Sequence, residues 1–184
     1  IFWNEETSIC NESDILTESK FKVIKQTFSN IELFLSNLLK VIPETNDIQV
    51  YPFRDIICDS ANYSADLVIS VASRPFGNKS KSLAASFSSQ VSQITGRPIV
   101  GGIYLNPFYI PNEPQDVTSI NRFYFTVLLH EIVHILGFTS IAMNYWLDRK
   151  TGKLYDEFIS KVTISKYQKT FYLLTTPNAR KYAQ

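Results

Sequence analysis

The chain has 184 residues, 45% of them hydrophobic and 19% charged, which suits one globular domain with a substantial core and excludes a disordered or collagen-like chain. Its 18 basic and 17 acidic residues leave a net charge of +1, so charge gives no reason to expect nucleic acid or an anionic membrane as partner. No stretch reaches the roughly 18 uninterrupted apolar residues of a spanning helix. The start, Ile1-Phe2-Trp3-Asn4-Glu5, has neither an initiator methionine nor a signal-peptide pattern, as expected of a chain that begins at a processing point or an artificial boundary.

Residues 1–20 read as an irregular N-terminal segment. From 21 to 42, Phe21, Ile24, Phe28, Ile31, Leu35, Leu38 and Ile42 recur at spacings of three and four, one face of a long helix that Pro43 is expected to end. Residues 48–51 alternate like a short strand, and 66–72 form a β-branched run of buried-strand length. The polar stretch 74–92, rich in Ser and Lys, reads as a long connection. Residues 98–105 read as a strand carrying the pair Gly101-Gly102, which marks either a bulge or the close approach of another backbone. A second helix is expected over 119–136, with Ser119 as N-cap and Gly137 as its C-terminal stop. Beyond it come a hairpin with a Gly-containing turn at 147–154, a strand at 162–165, and a helix start with Thr176 as N-cap and Pro177 at the first helical position. Cys10 and Cys58 could pair with each other, pair elsewhere or stay reduced. The sequons at Asn11, Asn62 and Asn78 are about as many as this composition yields by chance, so they permit glycosylation without indicating it.

Both histidines of the chain fall in one run, "LHEIVHILGF", at His130 and His134 with Glu131 between them. Residues four apart on a helix project from one face, so the two rings can offer nitrogens to one zinc ion at about 2.0–2.1 Å. Glu131 can then reach a zinc-bound water without ligating the ion. That is the arrangement of a metallopeptidase: zinc polarises the peptide carbonyl and lowers the pKa of its water, while the glutamate takes the proton and passes it to the leaving amine. A histidine on an apolar helix is more often a hydrogen-bonded core residue, and a bare H-E-x-x-H arises by chance in unrelated chains. Here the only two histidines sit in the motif, Gly137 follows at the third position after His134, and packing alone gives no reason for Glu131 in so apolar a helix.

H-E-x-x-H-x-x-G followed by Phe138 resembles the metzincin metallopeptidases. In most of them a third His or Asp follows the glycine by three residues, a position held here by Ser140. The leishmanolysin branch instead inserts a long stretch before its third histidine, and five segments resemble it in order: "ADLVISVAS", "TGRPIVGGIYLNP", "HEIVHILGFTS", "WLDRKTGKLY" and "LLTTPNARKYA". The resemblance spans residues 66–183. It implies an α+β, metzincin-like zincin with a twisted mixed sheet, a long N-terminal helix and an active-site helix carrying HExxH. Residues 1–184 are then one incomplete catalytic domain, with 138–184 the start of the insertion and the third ligand and Met-turn beyond residue 184. Two histidines alone hold zinc weakly, so this stretch by itself is expected to be poorly active. Ser89 stands where a family cysteine is expected. The resemblance also places Gly101, Gly102 and Ile103 on a sheet edge where an extended peptide substrate adds as a strand.

The expected function is a zinc-dependent endopeptidase acting on protein or peptide substrates at the cell surface or outside the cell, membrane-anchored or secreted. Its partners are the rest of its own domain, or another chain, supplying the third ligand, and no nucleic acid. One alternative is a zincin in which Glu157, on a helix downstream, is the third ligand. Another is a catalytically inactive structural or binding protein that keeps the groove.

Overall fold

The computed structural model describes residues 12–77, 80–114, 123–148 and 150–182. The chain divides into two compact units, Ile1–Gly137 and Phe138–Gln184. Cys10, Asn11, Asn78 and Ser119 lie outside the described residues.

The first unit opens with a 3-10 turn at Glu12–Asp14 and then helix α1, Glu18–Leu38. Thr17 caps α1, its side chain accepting from the Lys20 N–H at 3.3 Å. The helix buries Val23, Ile24, Thr27 and Ile31. It starts three residues before the expected point and stops at Leu38, four residues short of Ile42. Leu38 and Ile42 are exposed, so no core rewards another turn, and Pro43 disfavours helical backbone at the residue before it.

Five strands follow: β1 (Ile48–Val50), β2 (Ala61–Tyr63), β3 (Val68–Ser73), β4 (Ala84–Val91) and β5 (Pro98–Leu105). β1 and β2 form an antiparallel pair; the other three form one mixed sheet of order β3-β5-β4, with β3 parallel and β4 antiparallel to β5. The expected long connection at 74–92 therefore contains a strand of eight residues. Arg97 ties the entrance of β5 to two other segments: Nη1 donates to the Asp66 carbonyl at 2.5 Å, and Nη2 lies 3.2 Å from both Asp66 Oδ1 and Glu44 Oε1.

Helix α2, Phe123–Ile135, packs on this sheet through Tyr124, Leu128, Ile132 and Ile135, all buried. With Val23, Ile31, Ile103 and Leu105 they make the main core, in which each buried aliphatic side chain contributes on the order of 2 kcal/mol. Gly137 stops the helix as expected, with φ +106° and its N–H on the His134 carbonyl at 3.1 Å.

The second unit begins with a 3-10 turn at Ala142–Tyr145. The turn expected at 147–154 is present: Leu147 bridges Leu154, and Gly152 takes φ +68°. An antiparallel hairpin follows, β6 (Ile159–Ile164) with β7 (Lys169–Leu174), and then α3 (Pro177–Tyr182). Thr176 caps α3, accepting from the Ala179 N–H at 3.3 Å. Glu157 lies on an irregular segment leading into β6, not on a helix.

Candidate metal and catalytic site

The buried stripe of α2 fixes which face meets the sheet, and the 3.6-residue period then places the other side chains. His130 falls nearly opposite that stripe and is exposed, while His134 falls to its side and is half-buried. Glu131 falls between the stripe and the histidines, and is half-buried. One apolar period thus presents two imidazoles outward and aims a carboxylate along the sheet.

His130 Nε2 and His134 Nε2 lie 3.0 Å apart, the rings nearly perpendicular at 85°. Two nitrogens on a tetrahedral zinc, each bonded at 2.0–2.1 Å, stand about 3.3 Å apart. The pair therefore fits one ion with a shift of a few tenths of an ångström. Among the described residues no group of three or more His, Cys, Asp or Glu is gathered as a metal would need.

Glu131 is held from the sheet. Ser86 Oγ, on β4, lies 2.7 Å from Glu131 Oε2 and 2.9 Å from the Glu131 backbone carbonyl oxygen. Sequence reasoning missed Ser86 because small and polar residues dominate β4, Phe87 and Val91 being its only large apolar side chains. No local signal marks such a strand; its pairing with β5 makes it one.

An open pocket of about 380 Å³ adjoins the motif, lined by Ser82 and Leu83 just before β4, Ala84 at its start, Phe123, Thr126 and Val127 from α2, and His130 and Glu131 themselves. A larger open depression of about 490 Å³ belongs to the second unit and is lined only by residues 156–161, a crease along one stretch of chain without a histidine.

The expected placement of Gly101, Gly102 and Ile103 on a sheet edge needs correction. β5 is the central strand, and its backbone pairs on both sides: Gly101 faces Ile69 and Ser88, Gly102 faces Ser70 and Phe87, and Ile103 faces Val71 and Ser86. The glycines admit side chains instead of a substrate backbone. A Cβ at Gly101 would lie 2.5 Å from Ile135 Cγ2, and one at Gly102 would lie 2.5 Å from Phe87 Cζ. Ile103 is fully buried. Among the described strands, the free edge beside α2 is that of β4.

Ser89 falls where β4 shifts register against β5, and Cys58 is exposed and unbonded. No helix among the described residues is long and apolar enough to cross a membrane. A family model described as leishmanolysin matches residues 3–151. That span takes in α1, the mixed sheet and all of α2, so the similarity reaches well upstream of residue 66. No curated protein matches the chain.

Proposed function

Because the chain belongs to the leishmanolysin family of metallopeptidases, the match covering most of its length, we propose that it hydrolyses peptide bonds within proteins, with zinc held by His130 and His134 and Glu131 as general base. The observation that carries this reading is the convergence of the two Nε2 atoms at 3.0 Å, with Glu131 on the adjoining face of the same helix. When bound, zinc supplies the Lewis acidity that polarises the peptide carbonyl and makes a water acidic enough to attack near neutral pH. Glu131 receives the proton of the attacking water and delivers it to the leaving amine. The free edge of β4 offers main-chain donors and acceptors on which an extended peptide can lie as an added strand, replacing the β5 edge of the sequence reading. The pocket beside His130, apolar at Leu83, Ala84, Phe123 and Val127, suits an apolar substrate side chain.

The third zinc ligand, in this reading, comes from another part of the catalytic domain or from another chain. On the family resemblance, the proposal extends to action at the cell surface or outside the cell. The test is peptide cleavage and zinc content of the purified native protein. Glu131→Gln is expected to lower kcat by about 10²- to 10⁴-fold while zinc is retained, and His130→Ala to lose both. Undiminished cleavage by Glu131→Gln would remove the glutamate from the mechanism.

A further inference from the structure

We propose that Ser86 is a positioning residue for Glu131, holding one carboxylate oxygen so that the other is presented for proton transfer. The proposal rests on the peptidase reading and extends it to a side chain on another element. Ser86 Oγ lies 2.7 Å from Glu131 Oε2 and 2.9 Å from the Glu131 carbonyl oxygen, across 45 positions of sequence. A serine hydroxyl has one proton to donate, and of two acceptors in reach the charged one makes the shorter and stronger bond. The distances follow that order.

Both ends of the bond are carried by well-anchored backbone. Ser86 pairs with Ile103 of the central strand, and Ile103 is fully buried in the core that also holds Leu128, Ile132 and Ile135 of α2. Ala84, two residues before Ser86 and on the same strand face, belongs to that core too. The hydroxyl and the carboxylate thus sit on two elements clamped to each other on either side of Glu131. An unrestrained glutamate has three rotatable bonds and spreads over many rotamers, so a fixed donor at one oxygen selects among them. With Oε2 engaged by Ser86, Oε1 is the oxygen assigned to the reacting proton. Mispositioning of about an ångström in such a group can cost on the order of a hundredfold in rate.

Two measurements test this. The first is a double-mutant cycle in stability on the metal-free protein, which reads the contact independently of activity. Ser86→Ala is expected to lower the folding equilibrium constant by about tenfold when Glu131 is present, and by less in a Glu131→Ala background, where only the neutral backbone carbonyl is left to accept. The second is steady-state peptide cleavage. Ser86→Ala is expected to lower kcat by roughly ten- to a hundredfold with KM little changed, and Ser86→Thr, which keeps the hydroxyl, to recover most of it. Equal costs of Ser86→Ala in both backgrounds would overturn the proposal by assigning the hydroxyl to the backbone carbonyl alone. Wild-type kcat in Ser86→Ala, or a loss in Ser86→Thr as large as in Ser86→Ala, would overturn it while the peptidase reading stands. A wild-type protein that cleaves nothing overturns the peptidase reading and this proposal with it.

Discussion

Tyr104 sits on β5, 2% exposed, and its hydroxyl donates to Asp55 Oδ1 at 2.5 Å. Asp55 is also paired with Arg74, whose guanidinium lies 5.2 Å from the centre of the Tyr104 ring. Burial, and then the Asp55 carboxylate, push Tyr104 up to about 12. The Tyr104 hydrogen bond, with lesser help from Arg74, holds Asp55 below the ordinary carboxylate range. The folded protein therefore binds the Tyr104 proton more tightly than the unfolded chain does. Its contribution is complete below the ordinary tyrosine value of 10.0 and is lost as pH rises through about 12. Urea midpoints are expected to fall across that window, and Tyr104→Phe to flatten part of the fall. Tyr124, raised by burial alone, keeps the remainder. An unchanged alkaline slope in Tyr104→Phe would place Tyr104's titration at the unfolded value. The proximity of Tyr104 to Asp55 and Arg74, unlike the His130–His134 spacing, has no trace in the order of residues.

At the scale of elements, β5 takes the centre of the sheet instead of the expected edge, and β4, in a stretch that reads as a connection, takes an edge. The β-branched, Gly-containing β5 is easily recognised as a strand, yet nothing within it says whether it lies at an edge or in the middle. The two glycines answer, because each gives room to a named side chain. At Gly101 an added Cβ would meet not only Ile135 but also the Phe87 carbonyl oxygen at 2.8 Å, which cannot move without disturbing the β4–β5 ladder. At Gly102 its nearest neighbours are the far end of the Phe87 ring and Ile56 Cδ1 at 3.0 Å, side-chain ends and not backbone. Gly101→Ala is thus expected to cost about 2–3 kcal/mol and Gly102→Ala about 1 kcal/mol, within the usual range for overpacking. Denaturant unfolding of the two variants measures the difference, and equal costs would mean that the sheet relaxes as easily as the ring. Gly101→Ala also presses on Ile135, next in sequence to His134, so it should disturb the histidine pair more than Gly102→Ala.

At the scale of the whole molecule, the two units differ in how they are stabilised. The first has a continuous core of α1, α2 and the mixed sheet. In the second, β7 is exposed along its whole length and α3 buries none of its residues. Zinc bound by residues of the folded first unit, and not by the unfolded chain, stabilises by mass action: about 2.7 kcal/mol at a hundredfold excess over Kd. Added zinc is expected to raise the melting temperature of the native protein, and His130→Ala with His134→Ala to abolish the rise. Glu157→Gln should leave it unchanged. If Glu157→Gln removed the shift, the third ligand would be Glu157, supplied from its segment ahead of β6.

Local physics made much of this molecule legible from its residues. The 3.6-residue period of α2, the i, i+4 spacing of His130 and His134, Glu131 between them and the stop at Gly137 depend on neighbours within a turn or two of helix, so residue order alone determined them. The cap at Thr176, whose side chain accepts the Ala179 N–H three residues on, is equally local. The sheet order, the pairing that makes a strand of Ala84–Val91, and the side chains that fill the space over Gly101 and Gly102 arise from contacts tens of residues apart. So does the clamp of Arg97 on Asp66 and Glu44. Tertiary structure alone decided which edge lies free beside α2, and that Ser86, 45 positions before Glu131, is the residue that holds its carboxylate. A hydrogen bond across that distance exists only after the core has brought β4 against α2, because the entropy of closing so long a loop is met by core burial and not by the bond itself.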